Sequence, residues 1–110
     1  MTEDEARSAL LARADELDEE DRISGEARAP VTLQQDSVGR LSRMDAMQQQ
    51  AMAQAQERRR AAERTRIRGA LARLDEGEWG YCASCGEDIA KARLRHDPSV
   101  ATCVKCASGG

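Results

Sequence analysis

The stretch that decides the fold begins at Cys82-Ala83-Ser84-Cys85 and ends at Cys103-Val104-Lys105-Cys106, two Cys-x-x-Cys pairs with 17 residues between them. The 81 residues before the first pair contain no cysteine. Each Cys-x-x-Cys turn directs two sulfur atoms at one point, and two such turns supply the tetrahedral thiolate set of a closed zinc site. We therefore predict one Zn²⁺ per chain, in a structural role, because four protein ligands leave no open coordination position. The predicted ligands are Cys82, Cys85, Cys103 and Cys106.

Three other interpretations of the cysteines stay open at this point. A single iron ion accepts four thiolates at the same spacing, and a redox-active dithiol needs only one pair. Disulfide bonds form in oxidising compartments, whereas the N-terminal Met1-Thr2-Glu3-Asp4-Glu5 is acidic and lacks the apolar stretch of a signal peptide. His96, the only histidine, lies between the two pairs, and we expect it at the surface because four thiolates already complete the tetrahedron.

The composition explains why a metal would be needed. The chain of 110 residues has no Phe, one Trp and one Tyr, and 34% of its residues are charged. So few large apolar side chains cannot build a large core. The high charged fraction and the scarcity of aromatic residues are closer to those of disordered proteins. Stability is therefore expected to come from zinc, helix pairing or a partner. Trp79 and Tyr81, which flank the first cysteine pair, are expected to cover the small core of the zinc module.

Charge is distributed unevenly along a chain whose net charge is -3. Residues 1–30 hold ten acidic and four basic residues, and residues 31–80 hold nine basic and seven acidic ones. The basic part is densest between Arg58 and Arg68. On a helix these arginines spread over more than one face, so a solvated surface is the default interpretation. The alternative is a docking patch for an acidic partner, represented by Arg59 and Arg66.

Direct binding to nucleic acid has weak support in the composition. The isoelectric point of about 5.2 is acidic, and the aromatic side chains on which bases stack are absent from the basic segment. We therefore expect no sequence-specific contact with DNA.

The hydrophobic pattern predicts two helices. Thr2 can cap a first helix over residues of about 3–21, in which apolar residues recur at helical spacing. Residues 22–36, with Gly25 and Pro30, lack a sustained period and are predicted to form an extended connector. A second helix is predicted over residues of about 37–75, and its length of about 57 Å suits one arm of an antiparallel hairpin. The apolar positions of the first helix are Ala6, Leu10, Ala14 and Leu17.

The long helix carries two apolar stripes and two glycines. Gly39 and Gly69 weaken a helix by up to about 1 kcal/mol each, so a break at either is compatible with the sequence. The predicted fold is all-α: a coiled-coil-like antiparallel hairpin over residues 1–78 joined to a four-cysteine zinc finger over residues 79–110. No membrane span is predicted. The first stripe is Leu41, Met44, Met52, Ala55 and Ala62, and the second is Ile67, Ala70, Leu71 and Leu74.

The C-terminal residues resemble a known family, the DksA/TraR C4-type zinc-finger proteins. The resemblance is specific over residues of about 67–106, because non-cysteine positions agree as well as the cysteines, and it is looser upstream. It implies a bacterial cytoplasmic transcription factor that binds RNA polymerase and inserts a helical hairpin into the secondary channel of the enzyme. The matching residues are Gly80-Tyr81-Cys82-Ala83-Ser84-Cys85-Gly86, Ile89, Arg93-Leu94, Pro98 and the Cys103-x-x-Cys106 pair.

The resemblance also implies an acidic hairpin tip, with the pattern Asp-x-x-Asp-x-Ala. The nearest candidate begins at Asp36 and keeps the first acid but loses the second acid and the alanine; Asp45 is the alternative. Family members carry a basic residue directly after the last cysteine that helps to bind ppGpp, whereas this chain has Ala107 there. They continue into a C-terminal helix where this sequence has Ser108-Gly109-Gly110. These departures put a response to ppGpp in doubt.

No catalytic constellation competes with this interpretation. The sequence lacks a serine-histidine-acid set, a glycine-rich phosphate loop and a metal site with an open position. We therefore predict a non-enzymatic regulator of transcription. The main rival is a zinc-finger adaptor that binds nucleic acid or another protein without a polymerase role, and a thiol redox sensor is third.

Overall fold

Two long helices and a small C-terminal module form the part of the chain that the structure describes, residues 1–27 and 40–109. In this computed structural model α1 spans Glu3–Ala27 and α2 spans Arg40–Glu76, and the module contains α3, Lys91–His96, and α4, Val104–Ser108. The only bridge between extended segments in these ranges joins Tyr81 and Asp88. The predicted all-α class is thereby confirmed. None of the described helices combines the length and apolar character needed to cross a membrane.

The first helix begins at the predicted cap and ends later than predicted. Thr2 Oγ1 accepts a hydrogen bond of 3.1 Å from the Glu5 N–H, as expected of an N-cap, and the Thr2 hydroxyl donates to Glu5 Oε1 at 3.3 Å. The helix continues to Ala27, beyond the predicted end near residue 21 and into the predicted connector. Arg22 pairs with Glu19 one turn earlier, and no proline intervenes before residue 27. Local helix-forming contacts thus extend α1 where the apolar period has already stopped.

The second helix is continuous over its 37 residues, which correspond to about 56 Å. Gly69 lies within it without breaking it. The end is a Schellman motif, in which Gly77 has φ 75°, its N–H bonds the Leu74 carbonyl at 3.3 Å, and the Glu78 N–H bonds the Arg73 carbonyl at 2.8 Å. Residues 37–39, predicted as the start of this helix, lie outside the described residues.

One apolar cluster unites both helices with the C-terminal module. The residues predicted for the core face of α1 belong to it, and so does the second stripe of α2. Two members of the first stripe, Met44 and Met52, are 59% and 62% exposed and do not belong to this cluster, and the side chain of Leu41 lies outside the described residues. The buried members are Ala6, Leu10, Leu17, Ile67, Ala70, Leu74, Trp79, Cys82, Ile89 and Leu94.

Ion pairs between α1 and α2 fix the antiparallel arrangement. As the position on α1 advances from 7 to 21, the partner on α2 recedes from 75 to 60. Arg13 makes a bidentate contact, with Nε 2.7 Å from Glu63 Oε2 and Nη2 3.0 Å from Glu63 Oε1. This contact lowers the pKa of Glu63, chiefly through the hydrogen bonds from Arg13. The cross-helix pairs are Arg7–Asp75, Arg13–Glu63, Asp18–Arg64, Asp21–Arg60 and Asp21–Arg64.

We expect Glu63→Gln to reduce the free energy of unfolding by about 1 kcal/mol at pH 7, because it removes the charge of a bidentate but partly solvated pair. The Glu63 pKa is lower in the folded state than the value of about 4.3 in the unfolded chain, so this stabilisation is present above that pH. It is lost as pH falls through the native pKa, and the variant should then equal the parent. Urea denaturation at several pH values measures this.

Glu19→Gln is the matched control, because Glu19 pairs only within α1 with Arg22 among the described contacts. Its effect on the free energy of unfolding should be clearly smaller than that of Glu63→Gln, because an exposed ion pair within one helix contributes little to stability. Equal losses in the two variants would contradict the assignment of Glu63 as a cross-helix contact that matters for stability.

Candidate functional site: a four-cysteine centre at the base of the hairpin

The first cysteine pair lies on a tight turn that follows α2. The Cys82 N–H donates to the Glu87 carbonyl at 2.7 Å, and the Gly86 N–H donates to the Cys82 carbonyl at 2.8 Å. Gly86 has φ 77°, a left-handed conformation in which a side chain is strained. The local sequence therefore produces a loop in which backbone hydrogen bonds set the positions of the two sulfur atoms, while Cys82 also packs in the core cluster.

The second pair opens α4. Cys103 is the N-cap of this helix, and its Sγ accepts a hydrogen bond of 3.4 Å from the Cys106 N–H. The two loops are joined directly, because the Ala83 N–H donates to the Ala101 carbonyl at 2.8 Å. This contact between loops brings the two pairs of sulfur atoms to one place.

The four sulfur atoms form a compact cluster that fits a tetrahedral metal ion. All of them lie within 4.8 Å of one another, and the Cys85 and Cys103 sulfurs are 3.8 Å apart. A tetrahedron with Zn–S bonds of about 2.3 Å has sulfur atoms separated by about 3.8 Å. A disulfide requires about 2.05 Å, and the four thiols are free. His96 does not belong to the cluster.

Without a metal ion, ionisation of all four thiols is unfavourable because their negative charges would repel one another. Hydrogen bonds from the backbone of Cys103 and then of Cys85 lower the pKa of Cys82 to about 6. The neighbouring sulfurs of Cys103, Cys82 and Cys85 raise the pKa of Cys106 to about 12. Like charges this close cannot all ionise without a compensating cation, which a bound divalent metal supplies.

Zinc binding at pH 7.5 should release protons, about one of them from Cys106, whose pKa of about 12 keeps it protonated in the metal-free chain. Because protons compete with the metal for the thiolates, zinc affinity should fall as pH is lowered from 8 to 6. Calorimetry in buffers of different ionisation enthalpy measures the released protons, and chelator competition measures the affinity. Binding that releases no proton, or an affinity unchanged over this range, would contradict thiolate ligation.

Three side chains tie the second loop to the hairpin by binding backbone carbonyls between residues 98 and 102. Trp79 Nε1 donates to Pro98 at 3.0 Å, Arg93 Nε to Thr102 at 3.0 Å and Arg73 Nη2 to Val100 at 3.4 Å. The sequence analysis named Arg93 only as a position that matches the family and did not single out Arg73, because an arginine that binds a distant carbonyl has no local signal.

The two aromatic residues beside the first cysteine pair have different environments. Trp79 is 8% exposed and belongs to the core cluster, as predicted. Tyr81 is 51% exposed, so its predicted role in covering the core was wrong. Tyr81 is held in place by its backbone, which forms a β-bridge with Asp88. Its side chain therefore does not have to pack in the core.

The arginine-rich segment of α2 divides into two groups. Arg60 and Arg64 bind the α1 carboxylates and are structural. Arg59 and Arg66 are exposed, and within residues 1–27 and 40–109 neither forms an ion pair. One sequence signal for this group exists. Arg60 and Arg64 are four residues apart and therefore lie on the same helix face, so they could have been predicted to bind the same partner helix.

The remaining predicted positions lie apart from the metal centre. Asp45 is exposed on α2, whereas Asp36 lies outside the described residues. His96 is exposed and lines, with Arg66 and Asp97, a cleft of about 430 Å³ between the hairpin and the module. Arg13 and Glu63 also line this cleft, so its charges are mixed.

Comparison with known proteins agrees with this architecture of a helical hairpin and a four-cysteine zinc-finger site. The family model described as the prokaryotic dksA/traR C4-type zinc finger matches residues 77–109. The RNA polymerase-binding transcription factor DksA of Haemophilus influenzae is 39% identical over 41 residues, which are 37% of this chain and 28% of the length of that relative.

The likeness of the folds extends well beyond the finger. The transcription factor DksA2 of Pseudomonas aeruginosa superposes with a TM-score of 0.72 and 27% identity, over 97% of this chain and 81% of that one. Residues 77–109 thus match the family of prokaryotic dksA/traR C4-type zinc fingers, and the fold is similar to that of DksA2 over 97% of the chain.

Proposed function

We propose that this chain binds RNA polymerase as a non-enzymatic transcription regulator of the DksA type. The observation that carries the proposal is the structural likeness to DksA2, which spans both the hairpin and the finger rather than the finger alone. The relative from Haemophilus influenzae is named for binding RNA polymerase. The site of action would be the cytoplasm, and the rival role of an adaptor without a polymerase partner has no comparable support over the hairpin.

The metal centre serves this function by shaping the base of the hairpin. We propose one Zn²⁺ per chain, held by Cys82, Cys85, Cys103 and Cys106, with no part in catalysis. Four protein ligands close the coordination sphere, and binding of structural zinc is worth about 10–16 kcal/mol in small finger peptides. A response to ppGpp is not part of the proposal, because Ala107 follows the last cysteine where members of the DksA/TraR family have a basic residue.

The hairpin is the part proposed to enter the secondary channel. Its longer arm, α2, is a continuous rod of about 56 Å whose distal half carries no further domain in the described residues. An acid near the distal end would then be the group that reaches the interior of the enzyme. Asp36 is the first candidate by its partial match to the tip pattern, and Asp45 is the second.

The exposed cations of α2 are proposed to dock on an acidic surface of the polymerase. Arg59 and Arg66 are seven residues apart and therefore lie on the same face of α2. They keep their charge available because Arg60 and Arg64 satisfy the carboxylates of α1 instead. Charge complementarity of this kind accelerates association and makes binding sensitive to salt.

We expect the double variant Arg59→Glu/Arg66→Glu to bind RNA polymerase about tenfold or more weakly and with a smaller dependence on salt. The matched control is Arg58→Glu/Arg68→Glu, which makes the same change in net charge at exposed positions on other faces of α2. Fluorescence anisotropy with labelled chain at two salt concentrations distinguishes the two. Equal weakening in both variants would mean that only net charge matters, which contradicts a defined docking face.

The tip hypothesis predicts that Asp36→Asn abolishes the effect on transcription while leaving polymerase affinity nearly unchanged. A single carboxylate acts there by its position and charge, and most of the contact area lies along the arm. Asp45→Asn tests the other register in the same in vitro transcription assay. Loss of activity only in Asp45→Asn would show that the register is wrong, and full activity in both variants would exclude an acidic tip.

A further inference from the structure

The segment that leads to the second cysteine pair is held by hydrogen bonds from other parts of the chain. Between Pro98 and Thr102 the backbone forms no helix or strand, so its carbonyl groups have no partners in regular secondary structure. Four of these carbonyls accept hydrogen bonds from donors elsewhere in the chain. The pairs are Trp79 with Pro98 at 3.0 Å, Arg73 with Val100 at 3.4 Å, Ala83 with Ala101 at 2.8 Å and Arg93 with Thr102 at 3.0 Å.

Arg93 acts on the peptide group next to a metal ligand. Thr102 directly precedes Cys103, and its carbonyl lies in the same rigid peptide plane as the Cys103 N–H. The hydrogen bond of 3.0 Å from Arg93 Nε therefore fixes the orientation in which the chain enters Cys103. Cys103 is in turn the N-cap of α4, and its sulfur accepts a hydrogen bond from the Cys106 N–H. A change at Arg93 should consequently displace both ligands of the second pair.

Arg73 connects the same segment to the long helix. It lies in the last turn of α2, and its Nη2 donates to the Val100 carbonyl. The guanidinium lies against Gly69, one turn earlier, because a Cβ atom at position 69 would be 3.3 Å from Arg73 Nη1. An alanine there would move the guanidinium by a few tenths of an ångström. Gly69 therefore leaves the space in which Arg73 reaches Val100.

We propose that Arg93 and Arg73 are positioning residues of the metal centre, and that Gly69 provides the space that Arg73 requires for this role. By holding the 98–102 segment, they keep the second cysteine pair in place for the metal, which lowers the cost of ordering the loop on binding. Because Arg73 belongs to α2, metal binding is coupled to the base of the hairpin. The coupling is reciprocal, so a bound metal also strengthens the contact between α2 and the finger. The inference rests on the proposed metal centre and not on the proposed binding to RNA polymerase.

A purely structural role for the arginines predicts that stability and metal affinity change together. Gly69→Ala separates the two quantities. Alanine is a better helix former than glycine, so the substitution should not destabilise α2. The added methyl group nevertheless displaces the guanidinium of Arg73, whose hydrogen bond of 3.4 Å is already long. Zinc affinity should therefore fall while the free energy of unfolding of the metal-free chain stays equal or rises.

The experiment compares the chain of 110 residues with single variants of it. Competition with a chromophoric chelator measures zinc affinity, and urea denaturation of the metal-free chain measures stability. The visible spectrum of the Co²⁺-loaded chain reports whether four thiolates still bind the metal. The test variants are Arg93→Met, Arg73→Met and Gly69→Ala. The matched controls are Arg95→Met on α3 and Arg68→Met on α2, which each remove one positive charge at an exposed position.

We expect zinc affinity about fivefold to tenfold weaker in Arg93→Met and about threefold weaker in Arg73→Met and Gly69→Ala, because each loses or lengthens one hydrogen bond. The Co²⁺ spectrum should keep its tetrahedral tetrathiolate form, and both controls should bind zinc as the parent does. The inference is overturned if either Arg93→Met or Gly69→Ala binds zinc as tightly as the controls. Should an arginine variant fail to fold, Gly69→Ala decides, because it removes no polar group. A parent chain that takes up no zinc would overturn the proposed metal centre, whereas equal binding by parent and variants overturns this inference alone.

Discussion

The apolar cluster at the base of the hairpin is the contact on which the rest of the structure depends. Ala6 and Leu10 of α1, Leu74 of α2 and Trp79 and Leu94 near the cysteines all belong to it. Because the chain has so few bulky side chains, the two helices and the metal module cannot each build a core of their own. They share one instead, so the orientation of the finger and the pairing of the helices are set by the same contacts.

Charge has two separate tasks on α2. Close to the core, arginines such as Arg60 bind carboxylates of α1 and set the register of the hairpin. Arg59 and Arg66 remain exposed, and in the proposed function they are the cations that meet the partner. Partly solvated ion pairs stabilise a fold only modestly, about 0–1 kcal/mol for typical surface pairs. Their larger contribution here is specificity, because a shifted register would leave the forked Arg13–Glu63 contact unpaired.

The metal centre combines a rigid backbone frame with an electrostatic requirement. Hydrogen bonds within and between the two loops place the sulfurs at metal-binding distances, and the contacts of Trp79 and Arg93 with the 98–102 segment hold the second loop in place. The crowded sulfurs, which raise the pKa of Cys106, explain why a cation is needed to ionise the whole set. The backbone therefore positions the four sulfur atoms, and a bound cation would allow all of them to ionise.

The sequence by itself determined the features that depend on local spacing. The cysteine pairs, the N-cap at Thr2 and the apolar positions of α1 follow from contacts within a few residues, and the structure contains each of them. Tertiary structure alone decided which faces of α2 are covered. An apolar stripe with Met44 and Met52 has the same period as a core stripe, and only the position of α1 shows that it faces solvent. Likewise Arg60 binds Asp21 of α1 whereas its neighbour Arg59 is exposed, because one residue along a helix turns the side chain by about 100° toward or away from the other arm.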